Sequence, residues 1–124
     1  MEWKTATKRN HDDSPPKITI SPETHVIYFN RYILEHIFGD RKMVIVRYDK
    51  ESEMMAFQPV YEGDKKELYK LHKQERGLAG TRLYGKNLLS QFGIKVKHKL
   101  TFQPRWDSKI EWLIINLNGG DDNE

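Results

Sequence analysis

Apolar and polar residues alternate with a period of two along most of this chain, and twice the alternation gives way to helical spacing closed by a glycine. Lys17 to Ser21 alternates as a short strand, and Ser21-Pro22-Glu23-Thr24 is a turn with proline at its favoured second position. Val26 to Phe29 is a second strand. Asn30 then caps a short helix whose apolar residues Ile33, Leu34, Ile37 and Phe38 share one face, and Gly39 ends it. Met43 to Tyr48 and Met54 to Tyr61 are strands joined by the polar turn Asp49-Lys50-Glu51-Ser52. A similar order follows. Leu68 to Lys73 reads as a strand, although Leu68 and Leu71 also fit a helix. Gly77 to Gly80 is a turn, Thr81 to Tyr84 a strand, and Lys86 to Phe92 a helix stopped by Gly93. Ile94 to Phe102 is a long alternating strand and Pro104 to Lys109 a turn. Ile110 to Leu117 is the most hydrophobic strand, suited to a central position with Trp112 in the core.

Shifting the chain on itself by 54 residues brings Leu34 onto Leu88, Phe38 onto Phe92 and Gly39 onto Gly93. The strand after each helix keeps phase, Val44, Val46 and Tyr48 falling on His98, Leu100 and Phe102. The expected fold class is α+β: two degenerate strand–strand–helix–strand–strand (ββαββ) units, residues 17–62 and 65–117, with two short helices. One such unit of about 50 residues buries a marginal core, so two would close on each other as one compact barrel-like or interlocked β domain. Residues 1–16, ending in Ser14-Pro15-Pro16, read as a flexible N-terminal arm carrying Trp3, and residues 118–124 as a disordered acidic tail.

The segments VIYF, NRYILEHIFG and MVIVRYDKESEMMAFQPV, from Val26 to Val60, resemble the AbrB and MazE family of swapped-hairpin DNA-binding proteins. Arg82 to Leu117 is a second, looser match, so the tandem order is similar to the MraZ arrangement. The resemblance implies a transcription-regulator-like, DNA-binding protein, with Arg31, Arg82 and Lys86 beside the strand-to-helix junctions.

Charge sharpens the picture in one half of the chain. The net charge is +3, but residues 17–64 hold six basic and eight acidic residues while residues 65–117 hold twelve basic and four acidic. An anionic partner would be drawn to the second half. In the alternation of Ile94 to Phe102, Lys95, Lys97 and Lys99 share a face with Thr101, opposite Ile94, Val96, His98, Leu100 and Phe102. From Lys95 to Lys99 the strand spans about 13 Å, a ladder suited to phosphates. The same lysines would equally protect an edge strand in solvent. Forked contacts to bases would come from Arg76, Arg82, Asn87 or Arg105. Tyr28, Tyr32, Tyr61, Tyr69, Tyr84 and Trp106 could supply stacking, Trp106 being either a recognition tip or a lid on the core.

The candidate nucleic-acid-binding residues are therefore Arg31, Arg82, Lys86, Lys95, Lys97, Lys99 and Arg105. The alternative is a protein–protein interaction module, antitoxin-like or virus-encoded, drawn from the acidic first half and basic second half. Without cysteine there is no disulfide, thiolate metal site or cysteine nucleophile. The histidines lack ligand-pair spacing, and no phosphate loop, nucleophile elbow or His-Glu-x-x-His helix occurs, so no metal, cofactor or catalysis is expected. His98 reads as a core or rim histidine. No apolar run reaches the roughly 18 residues of a membrane span. The expectation is a soluble cytoplasmic protein, a possible homo-oligomer, with nucleic acid or another protein as partner and no membrane.

Overall fold

The short alternating runs make short strands, each ended by a turn residue or by loss of a partner. A computed structural model of the chain describes residues 2–3, 15–73, 80–119 and 121–122. Strand β1 (Ile18–Ile20) turns back into β2 (Val26–Phe29), the Ser21 amide donating to the Val26 carbonyl at 3.0 Å. Helix α1 begins as one α-turn (Arg31–Ile33) and widens into a π-turn (Leu34–Phe38), where the Gly39 amide reaches back to the Leu34 carbonyl at 2.9 Å. Gly39 takes φ 61° at its end, a conformation that favours glycine. Strands β3 (Met43–Asp49) and β4 (Met54–Val60) form a hairpin. Then come β5 (Leu68–Lys70), β6 (His72–Lys73), β7 (Thr81–Tyr84), α2 (Lys86–Gln91), β8 (Leu100–Phe102), β9 (Arg105–Asp107), β10 (Trp112–Asn116) and β11 (Asp121–Asp122).

The protein is mostly β. One antiparallel sheet has the order β11-β8-β1-β2-β7-β6, with β6 and β11 only two residues long, and the other has the order β5-β3-β4-β10-β9. The inward residues of each strand meet between the sheets. Ile18, Ile20, Ile27, Phe29, Leu83 and Phe102 come from the first sheet, and Val44, Met55, Phe57, Leu113 and Ile115 from the second. Ile33, Ile37, Phe38, Leu88 and Leu89 of the helical segments complete the core. Phe29 joins these parts, its ring edge-on to Phe38 at 5.0 Å and to Phe57 at 5.1 Å.

Asn30 does more than cap. Its side-chain oxygen accepts from the amides of Ile33 at 3.4 Å and Lys17 at 3.2 Å, while its amide donates to the Pro15 carbonyl at 2.8 Å. It therefore ties the entry of β1 to the start of α1. Asn30→Ala is expected to cost about 1–2 kcal/mol, the upper range for an N-cap, read as a lower midpoint in urea.

Several expectations change. Among the described residues the strands close no barrel. Among these residues one crossing between the sheets is at buried Leu71, which turns between β5 and β6 of different sheets, its amide bonded to the Lys42 carbonyl at 2.8 Å. The expected strand Leu68–Lys73 is thus two pieces. Of the two expected helices, α2 is a regular helix of six residues, and the first is a single α-turn running into a π-turn.

The long strand Ile94–Phe102 is paired only from Leu100. Its partner β1 ends at Ile20, opposite Leu100, and turns away at Ser21, so β1 does not extend alongside residues 94–99. Ile94 and Val96 still pack against the core, but His98 is exposed, not at the core. Arg105-Trp106-Asp107, expected in a turn, is strand β9. Trp106 packs against the core and Trp112 faces outward, the reverse of the expected burial of Trp112. Trp112 precedes inward Leu113, so strand parity turns it away.

Candidate nucleic-acid interface

On the first sheet one set of residues points inward, so the alternate set forms an outer face. The strand registers align such positions in a single row: Thr101 opposite Thr19, Thr19 opposite Tyr28, Tyr28 opposite Arg82, and Arg82 opposite His72. The row crosses five strands, β8, β1, β2, β7 and β6. Tyr84, two residues beyond Arg82 on β7, shares this face and is 54% exposed. Its ring lies 4.8 Å from that of His72.

Gly80 shapes the face. A Cβ there would collide with Tyr28 Oη and come within 2.5 Å of the Phe29 carbonyl oxygen. The Tyr28 phenol therefore lies over the space a side chain at position 80 would fill. Arg82 Nε is buried and has no hydrogen-bond partner among the described residues.

At the end of this sheet, where β2 begins and β7 ends, the cations gather. A cleft of ≈ 480 Å³ is lined by His25, Lys86, Ser90 and Lys95 over the apolar residues Leu89, Ile94 and Val96. No carboxylate lines it. The Gly85 amide donates to the His25 carbonyl at 3.0 Å and so holds the start of α2 against the β1–β2 turn. Lys97 and Lys99 continue from Lys95 and are exposed.

Four of the seven candidate residues thus follow one path: Lys86 and Lys95 share the cleft, with Lys97 and Lys99 beyond. Arg82 stands in the adjoining face. The structure does not bring in the other two. Arg31 lies past the opposite end of β2 and is paired with Glu35 at 2.6 Å. Arg105 lies on an edge of the second sheet. Arg76 and residues 77–79 of the expected turn lie outside the described residues, as do most of the N-terminal arm and the end of the acidic tail.

Sequence reasoning missed His25 and His72. It placed Tyr28 and Tyr84 among the possible stacking residues without placing them on a common face. The available signal was parity: Tyr28 and Tyr84 are out of phase with Ile27, Phe29 and Leu83, which are core.

Two further surfaces carry charge or aromatic rings. On the outer face of the second sheet the Arg47 guanidinium lies 4.9 Å from the Trp112 ring centroid and donates to Gln58 at 2.6 Å, beside a cleft of ≈ 330 Å³ that also touches Met54, Ala56 and Ile114. A larger groove, ≈ 620 Å³, contains Asp40, Arg41, Tyr61, Glu62 and Glu111. There Arg41 pairs with Glu111 at 3.2 Å and caps the helix end by donating to the Ile37 and Phe38 carbonyls.

In the same groove Tyr61 donates to Asp40 at 2.6 Å. That hydrogen bond is the largest cause lowering the Asp40 pKa, and it raises that of Tyr61. The contribution from Asp40 is present while its carboxylate is ionised and is lost as pH falls through its depressed pKa. Tyr61→Phe is expected to return Asp40 toward the ordinary aspartate value. The side-chain carboxyl shift in an NMR pH titration reads this directly.

Among the described residues no three His, Asp or Glu side chains are placed to hold a metal ion, and no helix is long and apolar enough to cross a membrane. Comparison with protein-family models, curated protein sequences and solved structures found no match.

Proposed function

We propose that this chain is a nucleic-acid-binding, regulator-like protein whose contact surface is the outer face of the first sheet together with the basic cleft at its end. The observation that carries the reading is the continuity between the two. Arg82, beside Tyr28, His72 and Tyr84, leads at the end of β7 to Lys86, and across the cleft to Lys95, Lys97 and Lys99. Lysines supply position along phosphates, and rings and arginine supply contacts to bases.

The finer architecture belongs to the same proposal. The two halves are degenerate copies offset by 54 residues, in the tandem order resembled by the MraZ arrangement. Gly39 and Gly93, 54 positions apart, both have positive φ after a helical segment. Tyr28 and Arg82, also 54 apart, pair with each other in the antiparallel β2–β7 ladder, as residues beside a pseudo-twofold axis would. Pairing of β1 with β8 and of β3 with β5 crosses between the halves, which supports an interlocked association.

The test is a polarisation titration with labelled nucleic acids at about 50 and 200 mM salt. Contact with about four phosphates is expected to weaken binding roughly 50- to 150-fold over that range. Absence of binding at the lower salt would sink the proposal.

One observation favours a second reading, a protein-interaction module. The second sheet presents Trp112, Met54, Ala56 and Ile114 around a cleft on its outer face. A single stoichiometric protein recovered with the chain, its capture lost in Trp112→Ala and no nucleic acid bound, would move this reading to first place.

A further inference from the structure

We infer that the ligand of this surface is a single strand of nucleic acid, its bases laid on the face of the first sheet and its phosphates along the lysines at the end. The inference rests on the nucleic-acid reading and names the ligand within it.

Neither helical segment is available to read a duplex. A major groove admits a helix that projects from its protein. Helix α2 has six residues, about 9 Å of helix at 1.5 Å per residue, and Leu88 and Leu89 sink into the core. The first helical segment buries Ile33, Ile37 and Phe38 in the same way. What the surface offers is the sheet itself.

The distribution of groups on that face suits exposed bases. Its centre carries Thr19, Tyr28, Arg82, His72 and Tyr84, and Arg82 is the one described cation permanently charged among them. A duplex turns its phosphates outward and its bases inward, so it would set phosphates against aromatic rings. A single strand can splay its bases onto those rings. Tyr84 is exposed enough to take a base over its ring, and Tyr28 lies over Gly80 without a side chain between. Neighbouring strands are about 4.8 Å apart, so rings on β2, β7 and β6 serve about two or three bases, as four-stranded RNA-binding sheets do. The lysines lie beyond the rings, at the end of the sheet, where they meet the backbone of a strand leaving the face.

The experiment compares 12-nucleotide oligo(dT), 12-nucleotide oligo(U) and a 12-base-pair duplex by fluorescence polarisation. The proteins are the full chain, Tyr84→Ala and Tyr84→Phe, with circular dichroism melting to confirm folding. The expected result is tighter binding of either single strand than of the duplex, with a loss of roughly 5- to 150-fold in Tyr84→Ala, recovered in Tyr84→Phe. The preference between oligo(dT) and oligo(U) identifies the strand as DNA or RNA, and either supports the inference. Equal or tighter duplex binding, insensitive to Tyr84→Ala, would overturn the single-strand inference and leave the nucleic-acid reading standing. Single-strand binding untouched by Tyr84→Ala would overturn it too, since the bases would then lie elsewhere. No binding to any of the three would overturn both.

Discussion

Replacing Lys86, Lys95, Lys97 and Lys99 together by glutamine is expected to reduce nucleic-acid affinity by roughly 1,000-fold or more near 50 mM salt, and to flatten its salt dependence. All four side chains are exposed, and Lys86 and Lys95 line one cleft that no carboxylate enters. Each ammonium that meets a phosphate releases counterions, contributing about 0.7 to the salt slope on a single strand and about 0.9 on a duplex. Four contacts removed should therefore lower the slope by about 3. Glutamine removes the charge without adding repulsion, so the change measures lost attraction alone. Stability should hardly move, because exposed substitutions of this kind stay within about 0.5 kcal/mol each. Arg105→Gln serves as the matched control. It removes a cation from the second sheet and should leave affinity within about twofold. An unchanged slope in the quadruple variant would show that the lysines serve only to keep this surface solvated.

The second large effect is on the fold. Phe29→Ala is expected to destabilise the protein by about 3–5 kcal/mol, a large share of the roughly 5–15 kcal/mol that holds a domain together. Phe29 is fully buried and stands where the first sheet, the first helical segment and the second sheet meet. Its removal opens a cavity against two other phenylalanine rings, neither of which can move without disturbing its own layer. Urea unfolding should show a lower midpoint with an unchanged slope, since the surface exposed on unfolding is nearly the same. Tyr84→Ala, on the outer face of the same sheet, should shift the midpoint little. A Phe29 variant as stable as the parent would mean that the two sheets do not depend on this contact for their packing.

These two expectations separate what local pattern reveals from what it conceals. The alternation of Lys17 to Ser21 marked a strand, and Ile18 and Ile20, its apolar positions, are core, because a strand beside a core must turn every second side chain inward. The glycines at 39 and 93 marked the ends of helical segments for an equally local reason, the left-handed backbone that each adopts. The cap at Asn30 was legible too, although its bonds to Lys17 and Pro15 were not.

The cationic candidates were legible only as charges. Arg31 and Arg82 looked alike beside their strand-to-helix junctions, yet Glu35 one turn on pairs with Arg31, while Arg82 is set by the β2–β7 register opposite Tyr28. Lys95, Lys97 and Lys99 alternate as a strand would. Alternation does not make a strand where the neighbour ends, and β1 ends at Ile20.

Parity along each strand was written in the residues; which partner each strand would find was not. Thr19, Tyr28, Arg82 and His72 became one row, and His25, Lys86 and Lys95 one cleft, through pairing between segments far apart in the chain. Of the two places open to Trp106 the lid on the core is the one it takes, and Trp112, expected in the core, faces outward because the β9–β10 ladder sets which of its sides meets the core. Period and capping act over a few residues and are readable from the chain. Register and sheet order are set by the joint burial of distant segments, and that joint burial is what brought the rings and the lysines to one surface.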